Sequence, residues 1–91
     1  MNLSDYRQQM DKIDRALTEL FVERMQLSGE IAAYKIENGL PVTDSTREAE
    51  KLAAVQAQVP SEFSDYVNML YRELFELSKQ YQNAIIDGEV K

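Results

Sequence analysis

The chain has 91 residues and carries 10 Lys and Arg against 16 Asp and Glu, for a net charge of −6. This acidic balance argues against nucleic acid and anionic membranes as partners, since both favour basic surfaces. The sequence contains no Cys and no His, which excludes disulfides, thiolate nucleophiles, imidazole acid–base chemistry and the usual zinc sites. We expect one small domain over residues 1–91, which buries part of its surface against a partner.

The first predicted helix runs from about residue 3 to residue 37 and has one continuous apolar stripe. Asn2 or Ser4 can cap its start, and Asn38-Gly39 ends it. At about 100° per residue the stripe gathers the following apolar side chains: Leu3, Tyr6, Met10, Ile13, Leu17, Leu20, Phe21, Leu27 and Ile31.

Two further helices follow, and no strand is predicted. The second runs from Asp44 to about Gln58, with Asp44 or Thr43 as its N-cap. The third runs from its cap, Ser61, to about Ile86. The predicted fold class is all-α, with three helices of which the first is very long.

The length of the first helix predicts an assembly. Thirty-five residues of helix span roughly 50 Å, whereas a compact chain of this size has a radius of gyration near 12 Å. The far end of the stripe would then face water, so we expect an intertwined homodimer packed along these helices. The alternative is a break near Ser28-Gly29 that gives a four-helix monomer. The N-terminal residues MNLSDYRQQMDK lack the apolar core of a signal peptide, so a cytoplasmic location is expected.

Three cations of the first helix occupy informative positions. Arg24 and Lys35 fall in the middle of the apolar stripe, and Arg7 lies on its shoulder, roughly 80 to 100° away. Taken singly, each has a simple explanation: Arg24 can extend its head to the rim of the face, Lys35 can complement the helix dipole, and Arg7 can be solvated surface. Together they place an excess of positive charge on a face that should be buried, which needs counter-charges.

Polar side chains on the other two helices complete the pattern. Glu48 shares a face with apolar residues of the second helix, close to Asp44 and Arg47. Ser78 lies within the apolar face of the third helix, and Gln82 follows one turn later. These residues can equally be a helix cap, first-turn charges and small packing groups. The joint interpretation is a pocket for a small dicarboxylate that also bears a hydroxyl.

The sequence resembles the all-helical chorismate mutases over nearly its whole length. The supporting stretches are YRQQMDKIDRALTELFVERMQLSGEIAAYK, GLPVTDSTREAE and LFELSKQYQ. They contain an Arg before an Ile-Asp pair, a Glu-Arg step, a Lys that closes the helix, an Asp-x-x-Arg-Glu connector and two polar residues four apart. In this sequence those positions are Arg7, Arg24, Lys35, Asp44, Arg47, Glu48, Ser78 and Gln82.

The resemblance implies an isomerase that converts chorismate to prephenate, on the route to phenylalanine and tyrosine, with no cofactor and no metal. Lys35 and Gln82 would donate to the ether oxygen, and Arg24 with Arg7 of the partner subunit would bind the two carboxylates. Ser78 and Arg47 would assist. Glu48, supported by Asp44, would accept from the ring hydroxyl.

Two rival functions stay open from the sequence. One is a lyase of the same fold that removes pyruvate from isochorismate. The other is a non-catalytic helical module for dimerisation or regulation, in which the polar positions serve packing only.

Overall fold

The computed structural model describes residues 1–88, and in this part of the chain it contains helices and turns but no strand. Helix α1 spans Leu3–Asn38, helix α2 spans Ser45–Ala57 and helix α3 spans Ser64–Ile86, with a short 3₁₀ turn at Ser61–Phe63. The prediction of three helices, the first very long, is therefore confirmed. Within the described residues no helix combines the length and hydrophobicity needed to cross a bilayer.

The ends of α1 are closed by two short sequence motifs. Asn2 Oδ1 accepts from the Asp5 N–H at 3.0 Å, and Asp5 Oδ2 accepts from the Asn2 N–H at 2.9 Å. This reciprocal capping box makes Asn2 the cap rather than Ser4. At the other end Gly39 adopts a left-handed φ of 63°, and the Leu40 N–H then donates to the Lys35 carbonyl at 2.9 Å.

Asp44, one of the two predicted N-caps, caps the start of helix α2. Asp44 Oδ1 accepts from the Arg47 N–H at 3.0 Å, so Asp44 is the N-cap and Thr43 is not. This bond fixes the orientation of the first turn of α2. The side chains of Arg47 and Glu48 extend from that turn.

The predicted start of the third helix at Ser61 is wrong. Ser61 opens a 3₁₀ turn in which the Phe63 N–H donates to the Pro60 carbonyl at 2.9 Å, and no side chain caps either this turn or α3. A backbone carbonyl therefore takes the donor that the Ser61 hydroxyl was expected to accept. The proline ring fixes an extended entry at Pro60, with φ −56° and ψ 146°, and α3 starts at Ser64.

Helix α1 runs through Ser28-Gly29 without a break, so the alternative four-helix arrangement is wrong. The glycine serves close packing instead. A Cβ built at Gly29 would lie 3.0 Å from Tyr81 Cε2 and 3.1 Å from Ile85 Cδ1. The small side chains of Ser28 and Ala32 are buried beside it. Helix α3 thus approaches α1 closely at this segment.

The N-terminal half of α1 extends away from the rest of the chain. The molecule measures 54 × 30 × 14 Å with a radius of gyration of 16.3 Å, larger than the roughly 12 Å of a compact chain of this length. Every residue from 1 to 20 is exposed, and Ile13 and Leu17 on the apolar stripe keep 60% and 57% of their surface in solvent. No other element among residues 1–88 covers this part of the stripe.

Candidate active site

A cleft of about 410 Å³ lies where the C-terminal half of α1 meets the start of α2 and the C-terminal half of α3. Seven of the eight predicted site residues line it. These are Arg24, Lys35, Asp44, Arg47, Glu48, Ser78 and Gln82. Leu27, Ile31, Val42 and Phe75 supply its apolar wall.

Arg24 crosses the cleft from α1 to α3. Its Nη1 donates to Ser78 Oγ at 2.7 Å, and its guanidinium carbon lies 5.9 Å from the centre of the Phe75 ring. The contact with the ring is at the outer limit for a cation–π interaction. The guanidinium is therefore held inside the cleft with most of its five N–H donors unused by Ser78.

Lys35 connects the end of α1 to the loop that leads into α2. Its Nζ donates to the Val42 carbonyl at 2.8 Å, and its own carbonyl accepts from Leu40. The side chain is half-buried. An ammonium has three donors, so two remain for a ligand once Val42 has taken one.

Glu48 extends from the first turn of α2 and reaches α3. Its Oε1 lies 3.1 Å from Lys79 Nζ, which is the one side-chain ion pair among residues 1–88. Asp44 is occupied in capping the helix, and Arg47 is exposed at the mouth of the cleft. The arginine and lysine side chains of the cleft other than Lys79 have no carboxylate partner within the described residues.

Gln82 is the most enclosed polar residue of α3, with 6% of its surface exposed. Its Nε2 donates to the Ser28 carbonyl at 3.0 Å and to Ser28 Oγ at 3.1 Å. A carbonyl oxygen accepts only, so the nitrogen of the amide must face Ser28. In this arrangement the amide nitrogen of Gln82 faces α1.

The charge of the cleft is opposite in sign to that of the chain. Five cations and two acids line it, which gives a local charge of +3 inside a protein of net charge −6. The cations are Arg24, Lys35, Arg47, Lys51 and Lys79, and the acids are Asp44 and Glu48. A cleft of this kind attracts an anion locally even though the chain as a whole is acidic.

Three polar lining residues were not predicted as site residues from the sequence: Ser28, Lys51 and Lys79. Lys51 follows Glu48 by three residues and Gln82 follows Lys79 by three, so each pair shares a helix face. That spacing places each lysine on the same helix face as a predicted site residue, although it does not show that Lys79 pairs with Glu48. Ser28 carried no signal beyond its small size.

Arg7 lies apart from the cleft. It is exposed on the N-terminal half of α1, and the seventeen residues that separate it from Arg24 correspond to about 25 Å of helix. Arg7 cannot therefore act in the cleft of its own chain in this arrangement. Its role as a residue of the partner subunit stays a prediction.

Comparison with known proteins places the chain in a family. The family model described as chorismate mutase type II matches residues 6–83, which contain all eight predicted site residues. The T-protein of Haemophilus influenzae is 28% identical over an alignment of 94 residues. The alignment covers 97% of this chain and 25% of that protein. The T-protein of Enterobacter agglomerans is 30% identical over 79 residues, which cover 80% of this chain and 21% of that protein.

The chain thus spans between a fifth and a quarter of the length of these curated relatives. No solved structure matches it significantly. The family model, in contrast, covers most of the chain and extends across all three helices that line the cleft. The protein therefore belongs to the chorismate mutase type II family.

Proposed function

We propose that the chain catalyses the rearrangement of chorismate to prephenate, a step of phenylalanine and tyrosine biosynthesis. The observation that carries this proposal is the cleft of charge +3 between the three helices, in which Arg24 and Lys35 have no carboxylate partner among the described residues. Chorismate is a dianion with a hydroxyl group. Its two carboxylates can supply the counter-charge that Arg24 and Lys35 lack in this cleft.

The chemistry of this reaction suits the residues available. In the rearrangement one C–O bond breaks while one C–C bond forms within the same molecule, so no atoms are gained or lost. The step needs no nucleophile and no proton carrier, and a sequence without Cys or His is compatible with that. The protein has to hold the substrate in its compact reactive conformer and stabilise the charge that develops on the ether oxygen.

Lys35 is the proposed principal donor to the ether oxygen. Its ammonium is fixed by the Val42 carbonyl at 2.8 Å and keeps two N–H groups for the substrate. A donor held in place before the reaction stabilises the transition state more than the ground state, because the negative charge grows as the C–O bond breaks.

Gln82 is the proposed second donor, and this role requires a rearrangement of one hydrogen bond. Its amide nitrogen now donates to both the carbonyl and the hydroxyl oxygen of Ser28. The bond to the Ser28 carbonyl can stay, while the bond to Ser28 Oγ is given up when substrate enters. The freed hydroxyl can donate to the carbonyl one turn earlier in α1, at Arg24.

The remaining roles concern binding. Arg24 binds one substrate carboxylate while Ser78 steadies its guanidinium at 2.7 Å. Arg47 adds positive charge at the mouth of the cleft. Glu48, in the turn that Asp44 caps, accepts from the ring hydroxyl through the oxygen that Lys79 leaves free.

The second carboxylate is assigned to Arg7 of the partner subunit in a homodimer with shared sites. The support is the uncovered apolar stripe on the N-terminal half of α1. A second copy packed along that stripe would bury it and could bring its own Arg7 toward the cleft.

The experiment is to add purified protein to chorismate and to isochorismate, follow the loss of absorbance and identify the products. Prephenate from chorismate supports the proposal, and pyruvate from isochorismate alone supports the lyase. If neither substrate is consumed and a dicarboxylate analogue does not raise the melting temperature, the non-catalytic module is favoured. The control is the Arg24→Ala, Lys35→Ala double variant, which should be inactive.

A further inference from the structure

Lys79 lies on the cleft side of α3, directly after Ser78. Its Nζ is 3.1 Å from Glu48 Oε1, and the two side chains keep 29% and 25% of their surface in solvent. The ion pair therefore joins α3 to the first turn of α2 across the cleft, next to the positions assigned to the substrate.

The Glu48 carboxylate has no other bonded partner within residues 1–88. Asp44 fixes the backbone of the same turn through the Arg47 N–H, but it forms no hydrogen bond with the Glu48 side chain. A glutamate side chain has several rotatable bonds, and without a partner it would sample many rotamers. Lys79 is the group that restricts it.

The pairing also leaves one carboxylate oxygen unused. Lys79 binds Oε1, so Oε2 stays available to accept a hydrogen bond. In addition, the ammonium offsets the negative charge of Glu48, which would otherwise repel a dianionic substrate in the same cleft. Lys51 lies in the cleft as well but forms no ion pair with Glu48.

From these contacts we infer that Lys79 is a positioning residue. It acts on the reaction through Glu48, whose carboxylate it holds where the ring hydroxyl of the substrate will lie, and it does not touch the substrate itself. The inference rests on the proposed function, because the hydroxyl that Glu48 accepts from belongs to the proposed substrate.

The test is a double-mutant cycle in kcat/KM with Lys79→Met, Glu48→Gln and the double variant. We expect Lys79→Met alone to lower kcat/KM about fivefold, the upper range for a partly exposed pair. Most of the loss should appear in KM, because a contact with the hydroxyl is made equally in the ground state and the transition state. In the Glu48→Gln background the same substitution should change kcat/KM by less than about twofold, since the carboxylate it acts through is gone.

Two variants serve as controls. Lys79→Arg should restore at least about half of the wild-type kcat/KM, because a guanidinium can also hold the carboxylate. Arg72→Met removes a cation from the exposed side of α3 outside the cleft, together with its bond to Asn68 in the same helix, and it reports the effect of losing a positive charge away from the cleft. Circular dichroism confirms that each variant folds, and Lys79→Gln replaces the methionine variant if that one does not.

Several outcomes would overturn the inference. If Lys79→Met has wild-type kinetics while the wild type converts chorismate, Lys79 positions nothing that matters. A fivefold loss that persists in the Glu48→Gln background would instead mean that Lys79 binds the substrate directly. If the wild type does not convert chorismate at all, the proposed function fails and Lys79 loses its role with it.

Discussion

The amide of Gln82 donates to the Ser28 carbonyl at 3.0 Å and to the Ser28 hydroxyl at 3.1 Å, across the contact between α3 and α1. Both residues are buried, with 6% and 4% of their surface exposed. A group proposed to act on the substrate thus also holds two helices together. Substitutions at Gln82 should consequently change stability as well as activity.

We expect Gln82→Leu to lower the free energy of unfolding by about 1 to 2 kcal/mol, because it removes both hydrogen bonds and leaves the Ser28 hydroxyl with only its own helix to bond. Urea denaturation at a fixed protein concentration measures this. The matched variant is Gln80→Leu, whose exposed amide bonds only to Glu76 in the same helix, and it should cost less than about 0.5 kcal/mol. Equal losses for the two variants would show that the contact with Ser28 adds no net stability.

Gly29 gives a second stability prediction. An alanine gains about 1 kcal/mol of helix propensity, but its Cβ would lie 3.0 Å from Tyr81 and 3.1 Å from Ile85. These opposing effects should leave Gly29→Ala within about 1 kcal/mol of the wild type. Gly29→Val adds two further methyl groups at the same contact and should destabilise by about 2 to 3 kcal/mol. Urea denaturation of both variants tests the close approach of the helices, and a valine variant as stable as the wild type would contradict it.

This glycine also shows what the sequence could and could not predict. The period of apolar residues and the caps at Asn2, Gly39 and Asp44 are local signals, and they predicted the three helices to within a few residues. A glycine within a predicted helix is ambiguous from sequence, because glycine is found both where a helix breaks and where two helices pack closely. Only the approach of Tyr81 and Ile85 distinguishes them. The misplaced start at Ser61 has a similar origin, since Pro60 provided a backbone acceptor in place of a side-chain cap.

The site residues show the same difference between signals within one helix and contacts between helices. Arg24 and Lys35 lie on one helix, so their common direction follows from helix geometry, and the structure places both in the cleft. The pair of Glu48 with Lys79 joins two helices whose relative rotation is set by packing. No spacing within either helix reveals which face of α3 meets α2. The engagement of the Gln82 amide with Ser28 is a contact between helices of the same kind.

Lys35→Ala gives the most direct test of catalysis. We expect kcat to fall by about 10²- to 10³-fold, the range found when one donor to a developing oxyanion is removed. The substitution also removes the bond to the Val42 carbonyl, so part of the loss could come from the connector. Lys35→Gln, which can still donate to Val42 but carries no charge, separates the two effects. Steady-state kinetics on folded protein measure them, and a loss below about tenfold for Lys35→Ala would remove Lys35 from the mechanism.

The exposed stripe on α1 leads to a prediction about assembly. Ile13→Glu places a charge on the stripe, and in a homodimer packed along it that charge would be buried without a partner. We therefore expect the dissociation constant of the dimer to rise at least about 100-fold, equivalent to about 3 kcal/mol. Gln8→Glu adds the same charge about 140° from Ile13 on α1, away from the stripe, and should leave the dimer intact. Sedimentation velocity over a range of concentrations measures both, and two variants of equal affinity would place the interface elsewhere.

Complementation between two inactive variants tests whether the clefts are shared. Arg7→Ala and Arg24→Ala should each be inactive as homodimers, because every cleft then lacks one arginine. When equal amounts are unfolded and refolded together, about half of the dimers contain one chain of each kind. In such a dimer one cleft lacks both arginines and the other has both, so roughly a quarter of all clefts should be intact and the activity should recover to about that fraction. Mixing the folded variants for a time too short for subunit exchange is the control and should give no recovery. If heterodimers verified by differential tagging stay inactive, Arg7 does not serve the cleft of its partner. Only shared clefts would put both substitutions in one cleft of the heterodimer and leave the other cleft with both arginines.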